Sequence, residues 1–250
     1  MCDVQATPYA VNYSVEEISN IEEKIKNNES VTDNEVEKLL NYICYKVREK
    51  LSDNMYKATF KGKDLEASSI ICNYLNDLGI NAKVLNTKTA IDYYATNNNF
   101  VIAGIKANMY GVEDVLYYLI DPTFKQFCLF EKDDANRYKE RDGIIYEKPS
   151  IGHYINPEDA EFVCDFLYFG YMYLDADAAS VYGNAFYDSR VPEKKSDTKS
   201  YAIPGMVYYN KFISSEPSPM YSKKELEDKD LLLEPIKHKS MQLKKDVTTC

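Results

Sequence analysis

The chain holds few groups able to do covalent or proton-transfer chemistry, and they are scattered. Six cysteines stand at positions 2, 44, 72, 128, 164 and 250, against only two histidines, His153 and His238. No two cysteines form a C-x-x-C pair, so the spacing offers neither a redox couple nor a zinc site. Cys44 (YICYKV) and Cys164 (FVCDFL) sit in apolar stretches, where a thiol packs as a small hydrophobe. Cys72 falls well inside a predicted helix, and buried helix-interior thiols are inert. Cys128 reads as a strand residue. His153 (SIGHYINPED) precedes a helix start and reads as a turn histidine, and His238 lies in a basic run. Asp133-Asp134 has the donors for a hard cation but reads as solvated charge. No glycine-rich phosphate loop and no G-x-S-x-G elbow occurs. No metal and no cofactor is expected.

The elements that position these groups follow from periodicity. Residues 14–51 read as two helices, each opened by a capping box: Ser14 with Glu17, then Thr32 with Glu35. Val15, Ile18, Ile21 and Ile25 stripe the first; Val36, Leu39, Leu40, Ile43, Val47 and Leu51 stripe the second. A third helix is expected over 64–78, with Asp64 as N-cap, Leu65, Ser68, Cys72, Leu75 and Leu78 on one side, and Gly79 as the stop. Ile80, Ala82 and Val84 then alternate as in a half-buried strand. Strands are expected at 100–106 and 115–121, with 127–130 as a third, and short connections imply antiparallel pairing. Asn156-Pro157-Glu158-Asp159 starts a helix that runs to Phe169 and stops at Gly170; a short helix follows Asp175. Residues 189–222 read as irregular.

Composition narrows the classes. A net charge of −10 argues against nucleic acid as the main partner. The basic run at 237–245 (KHKSMQLKK) reads as a frayed end. A hydrophobic share of 45% can build a core, and no stretch reaches the length of a membrane span. Unpaired cysteines and the absence of a secretory signal pattern point to a reducing compartment. The expected organisation is a single α+β domain over 1–222 and a charged C-terminal tail over 223–250.

Three segments taken together resemble a known family. GKDLEASSIICNYLNDLGINAKV (62–84), NNFVIAGI (98–105) and YLIDPTFKQF (118–127) follow the order helix, strand, strand ending in Asp-Pro-Thr. This order resembles the core of the papain/transglutaminase-like superfamily, in its bacterial toxin and effector branch. The resemblance spans about residues 62–130. It implies an α+β fold with N-terminal helices packed on an antiparallel sheet and further helices after the sheet. It also implies a nucleophilic Cys at the start of the third helix, a His at the start of the first strand and an Asp at the end of the second. Here the nucleophile position holds Lys63, and the His position holds Asn98, with Asn97 and Asn99 as near alternatives. Asp121 alone matches.

Those exchanges decide against the family's chemistry. A thiolate is favoured at a helix N-terminus; Lys63 puts a cation there. An amide at 98 cannot accept and return a proton near neutral pH. The expected protein is a pseudoenzyme that works by binding a protein partner, inside its producing cell or delivered by a signal-less route. In that reading Lys63, Asn98 and Asp121 share a cleft, where Lys63 and Asp121 form a salt bridge. A second reading keeps an active acyl transferase, deamidase or protease that has moved its nucleophile to Cys44, Cys72 or Cys128. A third is an α+β binding protein with no triad ancestry.

Overall fold

The computed structural model describes residues 4–5, 13–53, 60–88, 97–124, 138–141, 144–147, 169–174 and 212–236. Strand β1 is Val4–Gln5 and helix α1 is Val15–Lys26. Both capping boxes form: Ser14 and Glu17 exchange side-chain-to-backbone bonds, and so do Thr32 and Glu35. Each satisfies backbone donors that the first helical turn leaves over. Helix α2, Asp33–Leu51, buries Val36, Leu39, Leu40, Ile43, Cys44 and Val47. In α1 the predicted stripe loses its first member, because Val15 is 66% exposed.

Helix α3 is Asp64–Asp77, followed by strand β3, Asn81–Lys88; Gly79, at φ +85°, makes the turn between them. Every residue from Ala67 to Leu75 is buried, Ser68, Ser69 and Asn73 included. The expected one-sided stripe is therefore incomplete: α3 is enclosed by the sheet, by α2 and by a C-terminal segment.

The main sheet is mixed. Strand β4, Asn97–Met109, pairs antiparallel with β3 and with β5, Val112–Ile120. Strand β8, Tyr171–Tyr173, extends it antiparallel beside β5. The two-residue β2, Val31–Thr32, joins parallel to β4 at Ala107 and Asn108. The purely antiparallel sheet expected from short connections is corrected here. Pairing of β3 stops at Gly104, which leaves the upper edge of β4 open to the segment that enters α2. A separate antiparallel sheet joins β1, β7 (Ile144–Glu147) and β6 (Tyr138–Arg141).

Alternation divides the main sheet between two layers. Val84, Val101, Ala103, Ile105, Leu116, Tyr118 and Ile120 face the helices in one core. Each fully buried Ile or Leu in it contributes about 1.5–3 kcal/mol. By the register, Leu85, Phe100, Ile102 and Leu119 lie on the opposite face, and they too are buried. Gly104 lies on that second face as well. A Cβ there would come within 2.9 Å of the Tyr117 ring, so the glycine makes room for the aromatic.

Residues 223–236, expected as a tail, pack on the core. Helix α4, Lys223–Asp228, opens with a capping box of Ser222 and Glu225. Leu226 is fully buried and Leu233 nearly so, both in the helix-side core. Among the described residues no helix is long and apolar enough to cross a membrane. The expected strand at 127–130 and the helices after Asn156 and Asp175 fall outside the described residues, apart from Phe169 and Gly170.

Candidate functional site

At the N-terminal end of β4, Asn98 and Asn99 belong to two separate polar groups. In the first, Asp121 is 1% exposed and Asn98 0%. The Asn98 amide donates to Asp121 Oδ2 at 3.0 Å. Asp121 Oδ1 accepts from the Thr123 amide at 3.0 Å and from its hydroxyl at 2.6 Å. That is an Asx turn built by the Asp-Pro-Thr sequence itself. A buried carboxylate needs such donors, because leaving it unsatisfied costs several kcal/mol.

The turn is braced from outside. Arg48 of α2 donates from Nε to Pro122 O at 2.9 Å, and the Asp121 amide donates to Gly170 O at 2.8 Å. Gly170 sits at φ +79°, and a Cβ there would stand 2.8 Å from Pro122 Cα. Only glycine combines that conformation with that approach. Chain leaving the sheet after Thr123 and chain returning at Gly170 thus meet at one point.

The second group lies at the start of α3. Rungs between β4 and β5 stop at Val101 and Ile120. Beyond them, the Asn99 amide N–H donates to Asp64 Oδ2 at 2.8 Å, and the Asn99 side chain donates to the same oxygen at 2.7 Å. Asn86 donates to Asn99 Oδ1 at 3.2 Å. Asp64 was expected to be the N-cap. It is instead the first helical residue, and its carboxylate binds the strand, while Lys63 occupies the cap position with no side-chain cap bond. An acid in the first turn also complements the helix dipole. The approach to α3 is strained: Phe60, a bulky residue, stands at φ +56° and Gly62 at φ +70°.

Of the three predicted positions, the structure joins two. Asn98 and Asp121 are in direct contact. Lys63 is elsewhere: its side chain is 45% exposed, and its ammonium lies 3.8 Å from Glu66. The expected Lys63–Asp121 salt bridge is not formed: Asp121 is 1% exposed, while the Lys63 ammonium stands in solvent beside Glu66. The residue that meets the helix start is Asn99, one step along the strand. Successive strand residues point to opposite faces, so Asn98 and Asn99 serve different neighbours.

This arrangement holds charge without moving protons. An amide neither accepts nor releases a proton at ordinary pH. Cys44 and Cys72 are buried free thiols. Burial pushes the Cys44 thiol up to about 12, helped by the nearby Asp121 charge and opposed by Arg48. Burial likewise raises Cys72 to about 11. Neither is a thiolate near pH 7, and neither is placed as a nucleophile. Cys128, His153, His238 and the Asp133-Asp134 pair lie outside the described residues. Among the described residues no group of His, Cys, Asp and Glu could hold a metal ion.

Thr123, Asp64, Arg48 and Gly170 were missed as members of the two groups. Asp-x-Thr spacing signals the first; nothing local signals the other three. Comparison with protein-family models, with curated proteins and with solved structures returns no match to this chain.

Proposed function

We propose that this chain is a catalytically silent relative of the papain/transglutaminase-like enzymes and acts by binding a protein partner. The supporting order is α3, β3, β4, β5, with the start of α3 beside β4 and Asp121 ending β5. The observation that carries the reading is the Asn98–Asp121 contact at 3.0 Å. In the family an imidazole would receive that carboxylate; here an amide does, and the pair becomes structural. Free buried thiols at 44 and 72 fit a reducing environment.

Reconstitution tests the ancestry. A Lys63→Cys variant, alone and combined with Asn98→His or Asn99→His, is alkylated with iodoacetamide at pH 7. One histidine register should raise the rate at least ~10-fold over the single variant, through thiolate formation. Asp121→Ala should reverse the gain. Rates equal to the single variant in both registers would remove the kinship.

A further inference from the structure

Residues 212–236 cross from one face of the main sheet to the other. Phe212 stacks edge-on to Tyr117 on the face away from the helices, with ring centroids 5.6 Å apart. Lys83 Nζ donates to Phe212 O at 2.7 Å. The segment then passes the outer edge of β3 and reaches α3, and its far end is anchored by Leu226 and Leu233 in the helix-side core.

Between those anchors, residues 215–222 (SEPSPMYS) are held in a different manner. Glu216, Pro217, Pro219 and Ser222 are exposed, and Ser218, Met220 and Tyr221 are half-buried. The contacts are directed at backbone. Val84 O accepts the Ser218 amide at 2.8 Å. Ser69 Oγ accepts the Tyr221 amide at 3.0 Å, and the Asn73 side chain donates to Tyr221 O at 3.0 Å. One turn further along α3, Asp77 pairs with Lys223. Ser69, Asn73 and Asp77 recur at four-residue spacing, so one polar stripe of α3 reads this segment. Pro217 and Pro219 lack amide donors and hold the chain extended, leaving Ser218 to offer the one N–H between them.

β3 pairs with β4 alone among the described strands. Among the described residues its outer edge is closed by two α3 side chains and one backbone amide rather than by a strand. Asn76 Oδ1 accepts the Ala82 amide at 3.3 Å, the Cys72 thiol meets Ala82 O at 3.4 Å, and Ser218 covers Val84. Covered edges of this kind prevent unwanted pairing and become acceptors when uncovered.

We propose that the groove between α3 and the outer edge of β3 is a binding site for an extended, proline-containing peptide segment of a partner protein, occupied in this structure by the chain's own residues 215–222. Side chains that read both the N–H and the C=O of one residue recognise an extended backbone in general. The half-buried Met220 and Tyr221 set the preferred anchors. The strap is held by three hydrogen bonds to groups of α3 and β3, and its own residues stay exposed or half-buried, so it opens at lower cost than the core. The proposal stands on this groove alone and does not depend on the ancestry of the Asn98–Asp121 pair.

Two measurements test it. In hydrogen exchange on the wild-type chain, the Ser218 and Tyr221 amides should exchange at least ~100-fold faster than those of Ile70–Leu75, by local opening. Exchange at the rate of the α3 core would overturn the proposal. In the second, a fluorescein-labelled peptide with the sequence of residues 214–224 is titrated into the full chain. The Met220→Ala/Tyr221→Ala chain, whose own strap is weakened, should bind it at least ~10-fold more tightly than wild type, and adding Asn73→Ala should cancel the gain. No gain in the double variant would equally overturn it.

Discussion

Two carboxylates of this molecule are withdrawn from solvent almost completely, Glu22 at 0% and Asp121 at 1% exposure, and they are satisfied by different routes. Glu22, on α1, accepts from the Tyr74 hydroxyl on α3 and from the Ile236 amide at 2.8 Å, joining three distant parts of the chain. Asp121 takes two bonds from Thr123 in its own turn and one from Asn98 on the neighbouring strand. Glu22 is a tertiary cross-link; Asp121 bonds within its own turn and laterally to Asn98. An aspartate ending a strand before Pro-Thr therefore has a sufficient structural role without any imidazole to orient. The contact that bears on ancestry is the lateral one.

The largest expected effect falls on the Glu22 side. Burial, reinforced by the bond to Glu22, holds the Tyr74 phenol far above its ordinary value. Burial also raises Tyr13, Tyr118 and Tyr171, and the Cys44 and Cys72 thiols. In each case the folded state keeps a proton that the unfolded chain releases near 9 for Cys and 10 for Tyr. Stability is then intact below those values and falls as pH climbs through them. We expect cooperative alkaline unfolding, with tyrosinate absorbance rising together with the loss of near-ultraviolet circular dichroism. Near-ultraviolet circular dichroism that persists through the whole rise in tyrosinate absorbance would contradict it.

Asn98→Asp comes next. It sets a second carboxylate against Asp121 Oδ2 in a buried site, for an expected loss of about 3–5 kcal/mol by urea denaturation at pH 7. The loss should shrink on acidification, as one of the pair takes up a proton. Tyr74→Phe deletes one donor to Glu22 and should cost about 2 kcal/mol. Lys63→Ala should change stability by no more than about 0.5 kcal/mol, as a solvent-facing ion pair does. A large Lys63 effect would mean that it belongs to the buried group after all.

What could be read in advance was local. The two capping boxes and the stripe of α2 depend on residues three or four apart, and they form as the spacing requires. Strands β4 and β5 stand where the β-branched and aromatic runs put them, only longer. Strand β8 is three residues of Tyr-Met-Tyr, strand-favouring in type but too short to be read as a strand without the edge of β5 beside it. The strap was unreadable for the same reason: its partners on α3 lie about 150 residues away in sequence. At the site, Lys63, Asn98 and Asp121 were expected in one cleft, and Asn98 and Asp121 do touch. Lys63 does not join them, because a one-residue change in which side chain faces inward reverses the answer.

The meeting of Gly170 with Pro122 has a corollary for chain length. Everything encoded between Thr123 and Phe169 departs and rejoins at a single clasp, so its ends are fixed independently of what lies between them. Changes of chain length between Thr123 and Phe169 that keep β6 and β7 for β1 should therefore leave the pairing of β5 with β8 in register.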